Sequence, residues 1–324
     1  MKPKVVSLAL QGGGSHGAFT WGVLDRLLED ERIEIEGISG ASAGALNAAI
    51  LAHGLTTGGR EGARRALADF WKSVVNTAPS PLLESLVFLA RFLSPQQFNP
   101  LNLNPLRDLL LAQIDFARLR AECEQELFLA ATHVRTGKPR LFRTHEITAD
   151  VLLASACLPW IHRTVEIDGE AYWDGGLSAN PPVRALLYEC DARDIALVLL
   201  QPVQAPALPT SVDDIWSRLT EMGFNSALHA ELEGIALAQR DARRSLLPLG
   251  RLERRLRRLR LHRICAPEAP RMHSQFNTRS VFMDALHDAG RAQAQAWLAD
   301  FLGPDAPPRG LPAALPASAS DVTR

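Results

Sequence analysis

The sequence predicts an α/β fold, a mostly parallel central sheet with helices on both faces. Three observations predict it. Val5 to Leu10, VVSLAL, is apolar almost throughout, as a strand buried on both faces of a parallel sheet would be, and it leads through a glycine turn into a helical pattern. Ile33 to Ile38 repeats that arrangement, with Gly40-Ala41-Ser42-Ala43-Gly44 as its turn and the Ala-rich stretch Ala45 to Ala52 after it. Ile195 to Leu200, IALVLL, is a further buried strand.

In chain order, the first turn is Gln11-Gly12-Gly13-Gly14-Ser15-His16-Gly17, and Ala18 to Glu29 follows as a helix that buries Phe19, Trp21, Val23, Leu24, Leu27 and Leu28. Gly12, Gly14 and Gly17 spell G-x-G-x-x-G, so one reading is a nucleotide-binding α/β protein. That site also wants an acidic residue closing the next strand, about 20 residues on. Here the next strand closes in the serine turn. The favoured reading is an oxyanion hole: backbone N–H groups freed at a helix start form an anion-binding concavity.

Gly40-x-Ser42-x-Gly44 lies at a strand-to-helix turn, the context a serine nucleophile of this type needs. The turn throws the serine side chain outward in strained backbone, and the glycines let strand and helix pass without a clash. The helix after it points its N-terminus at the serine, which favours developing negative charge. Taken alone, the pentapeptide also reads as a tightly packed junction with no chemistry.

Gly54 to Gly62 reads as a glycine-rich loop and Ala63 to Val75 as a helix ended by Asn76 to Pro81. Leu82 to Leu93, LLESLVFLARFL, is too short for a bilayer, which takes about 20 residues, and reads as a core helix or a lid over the serine. Ser94 to Pro105 is irregular, and Leu106 to Glu122 is helical. Glu126 to Val134, Arg140 to Arg143, Val165 to Ile167 and Ala171 to Trp173 read as strands. Asp174-Gly175-Gly176 follows the last of them and is, by itself, a turn signal. Arg240 to Arg263 is Arg-dense, with Leu249, Leu252, Leu256 and Leu259 at helical spacing. It reads as a solvated helix packing its leucines on the core, or as a basic helix on anionic lipid. Leu261 to Ala266 is a last strand and Ser280 to Phe301 a closing helix. Residues 1–302 make one domain, and 303–324, rich in Pro, Ala and Ser, a disordered tail.

A formal net charge of −1 gives no global field that would select nucleic acid. Cys123, Cys157, Cys190 and Cys265 have no paired spacing and read as core or free thiols rather than a disulfide framework or zinc site. The N-terminal apolar run reads as a first strand rather than a signal peptide, so the expected location is cytoplasmic, with peripheral contact at the inner membrane face.

Together, Gly12-Gly13-Gly14-x-x-Gly17 after a first strand, Gly40-x-Ser42-x-Gly44 after a second and Asp174-Gly175-Gly176 far downstream resemble the patatin-like phospholipase family. Ala154 to Pro159 and Asn180-Pro181-Pro182 add to the likeness, which covers most of residues 5–200 and continues more loosely to Phe301. The resemblance implies a sheet sandwiched by helices and a Ser–Asp dyad that hydrolyses acyl esters of lipids through an acyl-enzyme. The activity would be of phospholipase A, lysophospholipase or carboxylesterase type. Ser42 would be the nucleophile, Asp174 its base, and Gly12, Gly13 and Gly14 the oxyanion hole. Gly17, His16, Gly40, Gly44, Gly175 and Gly176 would support these motifs. No metal or cofactor is implied, and the partner is a phospholipid or other acyl lipid. The sequence departs from the family in two places: His16 stands where the family usually has Arg or Lys, and 160–164 lacks an aromatic-x-Pro ending.

The residues support that chemistry independently. A neutral serine hydroxyl needs an adjacent base. Backbone donors aimed at the tetrahedral oxyanion supply about 3 kcal/mol each. The alternative within hydrolases is a Ser–His–Asp enzyme or thioesterase whose histidine follows the acid, with His229, His262, His273 and His287 available. A catalytically silent binding module on the same fold is a third reading.

Overall fold

The computed structural model describes residues 2–76, 94–99, 101–201, 208–245, 250–267, 274 and 276–303. The apolar segment Leu82 to Leu93, Leu249, His273 and the tail beyond Gly303 lie outside the described residues. Eight strands form one sheet: β1 (Lys4–Leu10), β2 (Ile33–Ala41), β3 (Glu126–His133), β4 (Pro139–Arg143), β5 (Val165–Ile167), β6 (Glu170–Asp174), β7 (Asp194–Leu199) and β8 (Arg260–Cys265). Their order is β5-β6-β3-β2-β1-β7-β8, with β4 also paired to β3. The β3-β2-β1-β7-β8 run is parallel; β4, β5 and β6 join antiparallel.

The helices are α1 (Gly17–Leu28), α2 (Ala43–Asn76), α3 (Pro95–Phe98), α4 (Pro105–Gln113), α5 (Phe116–Glu122), α6 (Ala149–Ser155), α7 (Val183–Glu189), α8 (Val212–Arg244), α9 (Arg251–Arg258) and α10 (Ser280–Leu302). The central strands are apolar on both sides because both sides are covered. Val6, Leu8, Leu10, Ala196 and Val198 pack with α1, α2, α6 and α10 on one face. Ala9, Ile195, Leu197 and Leu199 pack with α7, α8 and α9 on the other. The alternation along one strand is the two-residue period of β structure, and it produces the three layers.

Two expectations are corrected. Gly54 to Gly62 is not a loop: α2 runs through it, and non-helical backbone is confined to Gly58 and Gly59. The other glycines serve close packing. A Cβ on Gly54 would lie 2.4 Å from the Ala63 Cα, so the two arms of α2 fold back against each other as a hairpin. The second arm thereby returns Phe70, Trp71 and Val74 toward the start of the first. Leu106 to Glu122 is also two helices, α4 and α5, separated at Ile114 and Asp115; the Asp115 side chain caps α5 by accepting from the Arg118 N–H.

Among the described residues, no helix is long and apolar enough to cross a membrane. All four cysteines are free, and among the described residues no group of three or more His, Cys, Asp and Glu is placed to hold a metal.

Candidate active site

Ser42 is the single residue between β2 and α2, and its φ of 53° lies in the left-handed region. For a non-glycine residue that conformation costs on the order of 1–2 kcal/mol. Three contacts hold it there. The Ser42 N–H donates to the Ser155 Oγ at 3.0 Å, and that hydroxyl donates onward to the Ala130 carbonyl at 2.6 Å. The Ser42 carbonyl accepts from the Ala45 and Leu46 amides, starting α2. Gly44 makes the crossing possible, since a Cβ there would sit 2.1 Å from the Leu10 carbonyl oxygen. Gly40 faces Gly44 in the same way, at 2.7 Å from its carbonyl carbon.

Asp174 ends β6. The β2–β3 register pairs Ala41 with Ala130, and the β3–β6 register pairs Ala131 with Asp174, so the carboxylate and the Ser42 turn flank the same stretch of β3 from either side. It is fully buried. Its Oδ1 accepts from the Gly176 N–H at 2.7 Å, and its main chain is fixed by the Cys157 carbonyl and the Thr132 hydroxyl. The Ser42 hydroxyl stands close enough to lower the Asp174 pKa, yet Oδ2 makes no hydrogen bond of regular geometry among the described residues. Burial dominates and raises the carboxyl to about 7 against the pull of the Gly176 and Ser42 donors. Gly175 and Gly176 permit the approach: a Cβ on the first would meet the Ala130 carbonyl at 2.0 Å, and on the second the Phe224 ring at 2.5 Å.

The glycine loop closes on the serine, as two strand ends at one sheet edge require. A Cβ on Gly12 would lie 2.7 Å from the Ser42 Cβ. Gly17, first residue of α1, meets Ala43 and Trp71. Of the glycines expected to form the oxyanion hole, Gly12, Gly13 and Gly14, the first donates its N–H to the Asn180 Oδ1 at 2.7 Å. The amides of Gly13, Gly14 and Ala43 have no such partner among the described residues, and all three residues line the cavity beside Ser42. His16 points elsewhere. It is 2% exposed, its Nε2 is 2.8 Å from the Ser274 Oγ, and burial lowers its pKa to about 4. It is neutral at physiological pH and replaces a fixed cation with an anchor for the segment at Ser274.

The cavity has a volume of about 380 Å³, within the usual range of small-molecule sites. Its polar lining comes from Gly13, Gly14, Ser15, Ser42, His162, Gln201 and Thr278; Leu46, Phe70, Trp71, Val74, Leu106, Leu109, Phe224 and Phe276 make the remainder apolar. Within the glycine loop Gly12 is committed to protein partners, its N–H to the Asn180 Oδ1 and its Cα side to Ser42, so this first glycine of the G-x-G-x-x-G pattern is not free to cradle a phosphate.

The three described downstream histidines have no contact with Ser42 or Asp174. His262 bonds Asp194 at 2.6 Å, at the opposite end of β7 from the Ser42 edge. His287 lies against Trp21 and 3.6 Å from Asp25, and His229 is exposed on α8. Neither Ser42 nor Asp174 has a histidine partner among the described residues.

Sequence reasoning missed Ser155, Asn180 as a Gly12 partner, and α8. It also missed the buried relay in which Gln11 donates to the Asn225 Oδ1, Asn225 donates to the Gln201 Oε1, and Gln11 accepts from the Leu200 and Gln201 amides. The repeated small-residue motifs at Ala154-Ser155 and Asn180-Pro181 were the available signal, but neither reveals its partner.

A family model described as patatin-like phospholipase matches residues 8–187. A cGAMP-activated phospholipase of Escherichia coli (strain TW11681) is 30% identical over 204 residues, covering 56% of this chain and 54% of the relative. The chain thus spans about half the length of that relative. Among solved structures, VipD from Legionella pneumophila is similar at 15% identity, over 92% of this chain and 67% of that one, with a TM-score of 0.43. The heterodimeric ExoU–SpcU complex of Pseudomonas aeruginosa gives 17% identity over 92% and 52%, with a TM-score of 0.39.

Proposed function

The chain belongs to the patatin-like phospholipase family, and from that premise we propose that it hydrolyses carboxylic esters of lipids with Ser42 as nucleophile and Asp174 as base. The observation that carries the reading is the pairing of a strained, outward serine with a buried carboxylate whose Oδ2 is otherwise unpartnered, beside an apolar cavity.

In this reading Asp174 takes the Ser42 hydroxyl proton as Oγ attacks the ester carbonyl. The carbonyl π electrons move to oxygen, which receives the Gly13, Gly14 and Ala43 N–H groups. Collapse re-forms the carbonyl and breaks the bond to the alcohol, which leaves with the proton from Asp174. Water then attacks the acyl-enzyme, giving its proton to Asp174; collapse releases the fatty acid, and the proton returns to Ser42. A base near neutrality is well matched to this task, and the Asp174 pKa of about 7 meets that requirement better than an exposed carboxylate would. The apolar cavity would take the acyl chain. The lipid substrate would bring the protein to a membrane face as a peripheral enzyme.

The test is hydrolysis of a panel of phospholipids, lysophospholipids, neutral esters and thioesters, with Ser42→Ala as control and fluorophosphonate labelling beside it. Labelling confined to Ser42 and turnover lost in the variant support the reading. Retained turnover in Ser42→Ala removes Ser42 as nucleophile, and an unlabelled, inert wild type favours a silent binding module.

A further inference from the structure

The arginine-dense segment and helix α8 share a surface that the Ser42 chemistry does not use. α8 has 33 residues and so extends about 50 Å. Its later turns bury Phe224, Leu228, Leu232, Ile235 and Ala242 on one side. At about 100° per residue, the first three turns carry Val212, Ile215, Trp216, Leu219 and Met222 on the opposite side. Those five residues are 42% to 70% exposed, while the polar Ser217, Arg218, Thr220 and Glu221 of the same turns are half-buried. Amphipathicity is therefore inverted there: the apolar face looks at solvent.

The same outward side continues to Arg240 and Arg244 near the helix end. α9, packed against α8 in the same layer, holds exposed Arg251, Arg254 and Arg258 within an arc of about 60°. Residues 240–263 contain ten arginines against Asp241 and Glu253, a formal +8 in a chain whose total is −1. Part of this charge is structural. Arg255 donates to the Leu187 and Asp191 carbonyls, Arg257 to those of Ala242 and Ser245, and Arg260 pairs with Asp194. Arg240, Arg243, Arg244, Arg258 and Arg263 make no ion pair among the described residues.

We propose that the outward face of the α8–α9 hairpin is a docking surface for an anionic lipid bilayer. Ile215, Trp216, Leu219 and Met222 enter the interfacial zone, and the exposed Arg240, Arg244, Arg251, Arg254 and Arg258 meet the headgroups. The charge is complementary to an anionic surface. A nucleic acid would answer that charge and leave the apolar stripe in water, and a protein groove would answer the stripe alone; a bilayer interface takes both, with tryptophan at the headgroup level. The proposal deepens the lipid-hydrolase reading by naming the surface that meets the substrate phase. Phe224, at the junction between the outward stripe and the buried run, also lines the Ser42 cavity.

The experiment is sedimentation of the full chain with vesicles of phosphatidylcholine alone or mixed with phosphatidylglycerol, at low and high salt. The first variant is Arg240→Glu/Arg244→Glu/Arg251→Glu/Arg258→Glu, and the second is Trp216→Ser/Leu219→Asp. Wild type should bind the mixed vesicles best and lose binding with salt. The charge variant should lose at least about tenfold in partitioning, and the apolar variant should lose binding at every salt concentration. Both should keep wild-type melting temperatures and wild-type hydrolysis of a soluble short-chain ester. Vesicle binding unaltered by either variant overturns the proposal, as does equal binding to neutral vesicles. A self-association lost in the second variant without vesicle binding assigns the stripe to a second copy instead, and oligonucleotide binding lost in the first, again without vesicle binding, assigns the arginines to nucleic acid; either result overturns it too. Failure of soluble-ester hydrolysis in the wild type sinks the catalytic reading and leaves the vesicle result standing on its own.

Discussion

Replacing Asp174 by Asn should inactivate the protein and stabilise it at the same time. The carboxyl is fully buried, and its pKa is raised from 3.8 to about 7 by that burial. Between those two values the folded state keeps a proton that the unfolded state has released, so stability falls as pH rises. The contribution is fully present below the unfolded value and is lost as pH rises through the folded one. A difference of about 3 pKa units corresponds to roughly 4 kcal/mol. Asn is neutral, keeps an acceptor for the Gly176 N–H and has no charge to bury. Urea unfolding of both proteins should therefore show Asp174→Asn ahead of wild type, with the gap widening by roughly 2–3 kcal/mol from about pH 5 to about pH 8. Hydrolysis should drop by about 10²–10⁴, and the wild-type acid limb near neutrality should vanish from any residue of activity. A variant less stable than wild type, with a gap indifferent to pH, would mean that the native carboxylate is stabilised rather than strained, and the argument for a tuned base would fail.

Ser155→Ala leaves the Ser42 N–H and one bond to the Ala130 carbonyl unmet, at about 1–3 kcal/mol for a buried group. It should lower kcat and the rate of fluorophosphonate labelling about tenfold or more with little change in KM, and an unchanged labelling rate in a folded variant would show that Ser155 does not position the nucleophile. His262→Ala, His287→Ala and His229→Ala should each retain ester turnover within a few-fold of wild type, because His262 pairs with Asp194, His287 lies against Asp25 and His229 is exposed on α8. Loss of about 10⁴ in any one of them, the usual cost of a triad member, would replace the dyad with a triad.

The sheet was legible because its strands obey one rule: apolar on both sides where both sides are covered. The position of the serine was legible because a strand, a glycine-flanked turn and an Ala-rich helix leave a side chain no other place. Helix α8 was missed for a physical reason. Its first three turns put apolar residues outward and its later turns put them inward, so no single helical stripe runs along it. The glycines at 54–62 misled because glycine has two uses. Gly58 and Gly59 break the helix, whereas Gly54 lets one arm touch the other. Ser155 was invisible because its role depends on which amide comes within 3.0 Å of it, a contact across 113 residues of sequence.

The allocation of hydrogen bonds around Ser42 is itself an argument about mechanism. Most buried polar groups in a fold are paired, since an unpaired one costs about 1–3 kcal/mol. Here the two amides that flank the serine and point into protein are paired: Ser42 N–H with Ser155, and Gly12 N–H with Asn180. Among the described residues, the amides of Gly13, Gly14 and Ala43, which line the cavity, have no partner, and the Asp174 Oδ2 has none but the nearby Ser42 hydroxyl. In the proposed reaction those amides would meet an oxyanion while the carboxylate receives a hydroxyl proton, which is the differential stabilisation a catalyst requires. Ser155 and Asn180 then have a further consequence. In the proposed mechanism, pairing the Ser42 and Gly12 amides would leave the oxyanion to Gly13, Gly14 and Ala43 rather than to the amide of Ser42 itself. The acyl chain of an ester bound in that way would lie toward the apolar lining formed by Trp71, Leu106 and Leu109.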